Sequence, residues 1–350
     1  MAKETLLKAE GPSGQIVLSG ERDGRGKWRW SVGKGEAGEE SRESDGWLDA
    51  LLALDEEPWE EYEPIAVHPE FRPKIWGAVL QRATDPSGLM PWYRACFPDD
   101  PAPDPRGWKE KCPLPRLAEA IANSRDAVVL TGAGMSTESG IPDFRSSKGL
   151  WRKIDPRRVA TVEAMEKDYD LFRRFYRERL RNLEHVRPHA GHYVLAEWAE
   201  RGILRAVITQ NVDGLHHRAG SPEVYELHGT LRKARCHWCG RSADLTDFIE
   251  GRPCGACGGP LRPDVVLFGE LLPEDEWNRA MEAIRGSSLL LVIGTSLEVY
   301  PVNQLPMLAT GIRAIINGSM TDWDHRFHHV IHARIGKTLT KLDRLVKGMK

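Results

Sequence analysis

Residues 128–145 read VVLTGAGMSTESGIPDFR, a short β-branched run followed by a glycine turn and a charged loop. Val128, Val129 and Leu130 predict a buried strand, and Gly132 and Gly134 would let the chain turn tightly, with backbone N–H groups against a pyrophosphate. That points to nucleotide chemistry, although a GAG string alone is weakly specific. Four of the six cysteines form two knuckles, Cys236-x2-Cys239 and Cys254-x2-Cys257, with 14 residues between them. Such knuckles deliver four thiolates to one tetrahedral Zn2+ with little loop strain, and four thiolates leave no open position, so the ion would be structural. His228, in ELHGT, titrates near neutral pH and could act as a general base, although a histidine before glycine is by itself an ordinary turn residue.

Several predicted elements would position these residues. Short apolar runs at 127–130, 206–209, 289–293 and 313–316 are each followed by a Gly, Asn or Ser turn. They predict a parallel sheet covered by helices on both faces. In such a doubly wound sheet the ligand lies beyond the carboxyl ends of the strands. The turns that should converge there carry Gly132, Ala133, Gly134 and Ser136; Gln210, Asn211 and Asp213; Gly294, Thr295 and Ser296; and Asn317.

The first hundred residues have a different texture. The stretch QIVLSGERDGRGKWRWSV predicts a β-hairpin, with Asp23, Gly24 and Gly26 in the turn and Trp28, Trp30 and Val32 alternating on one face. Residues 46–55 and 69–83 show helical spacing, with Phe71, Ile75, Val79 and Leu80 on one stripe. Six of the 12 tryptophans (Trp28, Trp30, Trp47, Trp59, Trp76 and Trp92) fall in this segment. They suit a small core that needs bulky side chains, the alternative being an aromatic ligand groove. Residues 98–107, PDDPAPDPRG, disfavour helix and sheet interiors alike and mark the expected linker. The predicted organisation is therefore a small α+β domain over 1–97, a linker over 98–107, and an α/β domain over 108–350. The last carries a Rossmann-like sheet with a zinc module inserted at about 232–262.

A chain of 350 residues, 41% hydrophobic, can bury a large core. No run of 18 apolar residues occurs, and MAKETLLKAEGPSG lacks the apolar stretch of a signal peptide, so membrane insertion and secretion are not expected and the default compartment is cytoplasmic. A net charge of −2 gives no electrostatic case for nucleic-acid binding. Between Glu36 and Glu63, 12 acidic residues face the single basic Arg42, which reads as a solvated acidic face, the alternative being a surface for a basic partner.

TQNVDGLHHRAG at 209–220, ELHGT at 226–230, the two knuckles, RPDVVLFGE at 262–270 and GTSLEVYP at 294–301 follow the glycine turn in order. Together they resemble the sirtuins, NAD-dependent protein lysine deacylases, from about Pro113 to the C-terminus; residues 1 to about 107 have no recognised counterpart. The resemblance implies that the glycine turn (Gly132, Ala133, Gly134, Ser136) and Ser296 hold NAD phosphates or ribose, with Gln210, Gly294 and Thr295 also among the cofactor-binding residues. It places Asn317 at the adenosine ribose, and Ile141, Asn211 and Asp213 around the nicotinamide. Asp143, Phe144 and Arg145 would belong to a loop closing over the dinucleotide. His228 is implied as the general base, with Asn211 beside it in the catalytic set, in a reaction that releases nicotinamide and transfers the acyl group to ADP-ribose. An extended acyl-lysine peptide would lie between Val266, Phe268 and Gly269 on one side and Glu298 and Val299 on the other.

Ala160, Tyr176 and Arg179 resemble the trio in those sirtuins that remove succinyl or malonyl groups. A small Ala160 leaves room, and a guanidinium fork suits a carboxylate. Against this, Arg173, Arg174, Arg177 and Arg181 crowd the same helix, as they would on a merely basic surface. Two other functions stay open on the sequence: sirtuin-like ADP-ribosyl transfer or NAD hydrolysis, and an NAD-sensing module whose N-terminal domain recruits a partner. The knuckles and clamping segments favour deacylation over hydrolysis, and an intact His228 and Asn211 speak against a sensor.

Overall fold

A computed structural model describes residues 3–12, 14–22, 28–34, 42–44, 59–100, 112–146 and 149–349. The predicted helix at 46–55, the turn at Asp23–Gly26 and residues 101–107 of the Pro-rich linker lie outside these residues. Two compact units emerge, Met1–Asn123 with Ala314–Lys350, and Ser124–Arg313.

The first unit opens with five antiparallel strands, β1 (Lys3–Gly11), β2 (Gly14–Arg22), β3 (Trp28–Lys34), β4 (Arg42–Ser44) and β5 (Glu63–Val67), in the order β4-β3-β2-β1-β5. The predicted hairpin is β2–β3, paired from Ile16 opposite Lys34 to Arg22 opposite Trp28. A register shift between Thr5 and Leu7 breaks strict alternation in β1, so that the adjacent Leu6 and Leu7 are both buried. Helices α1 (Arg72–Arg82) and α2 (Met90–Cys96) complete the module, and Ile75 and Val79 bury the face their spacing predicted. Trp30, Trp59 and Trp92 are buried, Trp59 and Trp92 meet edge to face at 5.3 Å, and Trp92 donates its indole N–H to the Trp59 carbonyl at 2.7 Å. These three tryptophans are core residues. Helix α3 (Pro113–Asn123) packs against α1.

In the second unit, β6 (Ala127–Thr131) is buried at all five positions. Helices α4 (Val162–Lys167), α5 (Tyr169–Glu184) and α6 (Ala190–Glu200) lead to β7 (Leu204–Thr209), α7 (Leu215–Arg218) and β8 (Val224–Glu226). An inserted antiparallel sheet then follows: β9 (Gly229–Cys236), β10 (Ser242–Ala243) and, after α8 (Leu245–Glu250), β11 (Leu261–Val265), in the order β10-β9-β11. Helix α9 (Glu274–Arg285) and β12 (Leu289–Ile293) come next. β13 (Ile312–Asn317) leads into the C-terminal part of the first unit, where β14 (His329–His332) and α10 (Ile335–Gly348) lie. The main sheet runs β14-β13-β12-β6-β7-β8 with parallel pairings. All four predicted strands are in it, and its order reverses between β6 and β12, the switch point where doubly wound sheets bind ligands.

Helix α10 buries Ile335, Leu339, Leu342 and Val346 at spacings of four, three and four, and α3 packs against both α10 and β14. The compact units thus divide at Asn123 and Arg313, while residues 101–107 of the Pro-rich stretch lie outside the described part of the chain. Among the described residues, no helix is long and apolar enough to cross a membrane.

Candidate active site

The carboxyl ends of β6, β7 and β12 meet at the switch point. Gly132 has an extended backbone (φ −128°), so its need for glycine comes from crowding, not from a left-handed turn. A Cβ there would lie 2.6 Å from Thr295 Cβ, and one on Gly134 would lie 2.8 Å from Gly294 Cα. The Gly132 N–H donates to the Ile293 carbonyl at 3.0 Å and the Gly134 N–H to the Gly294 carbonyl at 2.8 Å. The two amides expected to face a pyrophosphate are therefore spent on joining β6 to β12. Gly294 itself adopts φ +64°, where L side chains are strained.

Beyond this junction lies a buried polar network. Asn211 donates both Nδ2 protons, to the Gly132 carbonyl at 2.9 Å and to Ser136 Oγ at 3.2 Å. Ser136 passes its own hydroxyl proton to Asp213 Oδ2 at 2.7 Å, and Asp213 Oδ1 accepts the Leu215 N–H at 2.9 Å. With its amide protons used, Asn211 keeps Oδ1 as an acceptor. Burial pushes the Asp213 carboxyl above its ordinary range, against the Leu215 N–H, Ser136, Arg179 and Arg218. Gln210 donates Nε2–H to Thr295 Oγ1 at 3.1 Å.

His228 Nδ1 lies 3.0 Å from the Gln210 carbonyl oxygen. A carbonyl can only accept, so Nδ1 carries the proton and the neutral ring presents Nε2 as a bare base. Burial holds this imidazole below its ordinary pKa, with the Gln210 carbonyl pulling the other way. The His228 carbonyl in turn accepts the Val266 N–H at 2.9 Å, tying the base to the RPDVVLFGE segment. There Phe268 bridges to Thr161, donates to the Ala160 carbonyl at 2.9 Å and is 49% exposed, and Gly269 adopts φ +97°.

The charged loop is anchored at several points. Ile141 donates to the Ser136 carbonyl at 3.3 Å, Asp143 Oδ1 accepts the Ser146 N–H at 3.1 Å, and Phe144 stacks on Trp151 at 4.9 Å. Arg145 Nε pairs with Glu298 Oε2 at 2.9 Å, so that carboxylate faces the loop arginine. Ser296 is half-buried beyond β12, and the Val299 carbonyl accepts the Asn303 N–H at 2.9 Å. Asn317 ends β13 in the other unit, buried, with Nδ2 donating to the Ser319 carbonyl at 3.0 Å.

On α5, the Arg179 guanidinium lies 5.3 Å from the Phe144 ring, 5.7 Å from Phe175 and 6.0 Å from Tyr176. Burial pushes it below the ordinary arginine value, with Tyr176 and Asp213 opposing. Among the described residues it makes no ion pair. Its neighbour Arg173 instead donates to the Phe248 and Ile249 carbonyls at 3.2 and 3.0 Å, fastening α5 to α8.

The four cysteine Sγ atoms of the knuckles lie within 4.8 Å of one another, with Cys236–Cys257 at 3.4 Å and Cys239–Cys254 at 3.8 Å. Tetrahedral zinc at ~2.3 Å from each sulfur places sulfurs ~3.8 Å apart, so the donor set and spacing fit one structural ion. Gly240 and Gly258, each just after the second cysteine of its pair, adopt φ +70° and +74° and turn the chain back. The Ala256 and Cys257 N–H groups pull the Cys254 thiol down to about 6.

Two constellations were not singled out in the sequence. Arg262, fully buried, grips Glu270 through Nη1 and Nη2 at 2.7 Å each, and Glu270 Oε2 accepts the Leu267 N–H at 2.8 Å. The signal was the spacing of the arginine and glutamate that bracket RPDVVLFGE. Behind the glycine turn, His189, His192 and His216 form a cluster with ring centroids 4.4 and 4.9 Å apart. His189 Nε2 meets the Met135 carbonyl at 2.6 Å, and His216 Nε2 lies 3.1 Å from Thr131 Oγ1.

A doubly wound switch point carrying a buried Asn–Ser–Asp network, an oriented imidazole and a four-thiolate module defines a nucleotide-dependent enzyme with a structural metal. Comparison with known proteins specifies it further. The Sir2 family model matches residues 132–301. NAD-dependent protein deacetylase 1 of Geobacillus kaustophilus is 49% identical over 228 residues, covering 64% of this chain and 94% of the relative. NAD-dependent protein deacylase 2 of Pyrobaculum aerophilum is 45% identical over 236 residues, covering 66% and 95%. A solved Sir2–p53 peptide–NAD+ complex superposes with a TM-score of 0.61 at 32% identity, covering 67% of this chain and 98% of that one. The chain belongs to the Sir2 family; it is a sirtuin-type enzyme, and sirtuins use NAD.

Proposed function

We propose that this enzyme removes acyl groups from lysine side chains of extended peptides and accepts acidic groups such as succinyl and malonyl. The acidic preference rests on Arg179, a cation held against three aromatic faces with no ion-pair partner among the described residues. Tyr176, the nearby phenol, is buried, as is Ala160, whose side chain is small. A half-buried charge that faces rings in place of a carboxylate can gain from an incoming anion. Of the other arginines of α5, Arg173 is committed to carbonyls, Arg174 and Arg181 are exposed, and Arg177 is half-buried but makes none of the ring contacts that hold Arg179 among the described residues.

NAD, when bound, supplies the ribose carbon that takes the acyl oxygen and the hydroxyl that receives the acyl group. The protein's share is positioning and proton transfer. Asn211 Oδ1 and Asp213 orient the carboxamide together with Ile141, and Phe144 keeps water away from the reacting carbon. Asp143 and Arg145 close the loop. His228 Nε2 takes the proton of the ribose hydroxyl. Gly132, Ala133, Gly134, Ser136, Gln210, Gly294, Thr295 and Ser296 line the phosphates and ribose, and Asn317 takes the adenosine ribose. The peptide adds as a strand between Val266, Phe268 and Gly269 and the main chain of Glu298 and Val299.

The test compares succinyl-lysine and acetyl-lysine peptides on the wild type and Arg179→Met. Losing a charge-assisted pair of ~2 kcal/mol should cut succinyl kcat/KM about 30-fold while acetyl turnover changes by less than about threefold. Equal losses on both substrates would refute the acidic-acyl assignment. Mass spectrometry should find O-acyl-ADP-ribose only with peptide present; free ADP-ribose in its place would mark an NAD hydrolase.

A further inference from the structure

In the unit formed by Met1–Asn123 and Ala314–Lys350, the end of α1 meets the end of β14. Gln81 Oε1 accepts the His332 backbone N–H at 3.3 Å, and Arg82 Nη2 donates to the His332 carbonyl at 3.1 Å. Both main-chain groups of one strand residue are thus held by neighbouring side chains of the N-terminal module. Arg82 is 2% exposed, and its Nη1 is fixed on the Ala78 carbonyl of its own helix at 3.1 Å, so the fork reaches the strand in a set orientation.

The His332 imidazole reaches the other way. Its Nε2 lies 2.8 Å from Asp324 Oδ2, in a largely buried pair. Asp324 also accepts the Thr321 hydroxyl at 2.7 Å and the Thr321 N–H at 3.2 Å, closing the turn that follows β13. Asn317 is the register partner of His332, and its carbonyl accepts the Ala333 N–H at 3.0 Å. A continuous relay therefore runs from Gln81 and Arg82 through His332 to Asn317 and the 318–327 loop. Both ends lie outside the stretch matched by the family model, 132–301.

We propose that the N-terminal module sets NAD affinity through this relay, with Gln81 and Arg82 as positioning residues for Asn317 and the turn beyond it. The proposal rests on the reading that Asn317 takes the adenosine ribose. A helix that held β14 only as scaffold would need no buried His–Asp pair leading on to the turn after Asn317.

The experiment uses the full chain with Arg82→Met, which removes the donors but keeps an apolar stem, and Arg82→Lys, which restores one donor. Arg82→Met should raise KM for NAD about fivefold, the order of one hydrogen bond to a buried carbonyl, with kcat at saturating NAD and KM for an acetyl-peptide unchanged. Amide hydrogen exchange across 318–324 should quicken in the same variant, and Arg82→Lys should recover part of both effects. Unchanged exchange in folded Arg82→Met overturns the proposal. So does quickened exchange with unchanged KM for NAD when Asn317→Ala raises that KM. If Asn317→Ala leaves KM for NAD unaltered, the ribose assignment fails, and with it the claim on NAD, whereas quickened exchange would still establish the relay. Asp324→Asn breaks the relay from its far end without touching the module and must give the same KM shift; if Arg82→Met does not fold, this variant decides.

Discussion

A single carbonyl decides what His228 can do. By accepting the Nδ1 proton at 3.0 Å, Gln210 fixes the tautomer, and burial lowers the pKa so that the ring is neutral at physiological pH. The acid limb of kcat/KM should accordingly fall below the ordinary histidine value of about 6.5, with activity rising as pH climbs through it. A pH profile with its acid limb above 7 would contradict this. His228→Tyr should bind NAD in calorimetry yet lose deacylation. At this scale the sequence singled out His228, Asn211, Asp213 and the four cysteines, because each occupies a short string of chemically capable residue types. It misjudged why the glycines are there. Gly132 and Gly134 answer to Thr295 and Gly294, some 160 residues away in the chain, and no local pattern reports such a packing partner.

The elements around the site depend on buried charge and buried neutral imidazole in opposite ways. Burial disfavours the Glu270 carboxylate, but Arg262, the Leu267 N–H and Arg235 outweigh it and hold the group below its ordinary range. Glu270→Gln would strand a guanidinium with 0% exposure, so a loss of about 3 kcal/mol in denaturant stability is expected, together with a raised KM for peptide. A loss under about 1 kcal/mol would argue against this role. His192 and His216 are pushed down to about 2 and about 3, chiefly by burial, with their neighbouring imidazoles adding to it. Unfolded, both titrate near 6.5, so the unfolded chain binds more protons below that pH. Stability should be complete above about 6.5 and fall by about 1.4 kcal/mol per pH unit for each imidazole as acidity increases. Denaturant midpoints from pH 7 to pH 5 would measure the slope, and His192→Leu should remove one imidazole's share. Zinc chelation should loosen the 229–265 module, as read by exchange of its amides; unchanged protection after verified metal loss would refute a structural ion. The knuckles were legible because CxxCG also encodes the left-handed glycine each turn requires. The histidine cluster was not, since His189 caps α6, His192 lies within it and His216 comes from α7.

Over the whole molecule, periodicity found the four central strands and helix α1, which are locally encoded. The N-terminal β-sheet was only partly foreseen: β1 and β5 are long-range partners, and the bulge at Thr5–Leu7 disguises the alternation of β1. The compact units were not legible either, because what joins residues 1–123 to 314–350 is packing among α1, α3, α10 and β14.

β14 is the outermost strand of the main sheet, and its His332 amide and carbonyl are engaged by Gln81 and Arg82. Bare strand edges invite another chain to add on, and proteins commonly hide them. Truncation of residues 1–105 should therefore leave a catalytic core that self-associates as its concentration rises, visible as growing light scattering while the full-length protein stays at constant mass. On that view the appendage also acts as a built-in guard of solubility, closing the border along which a second copy would otherwise dock.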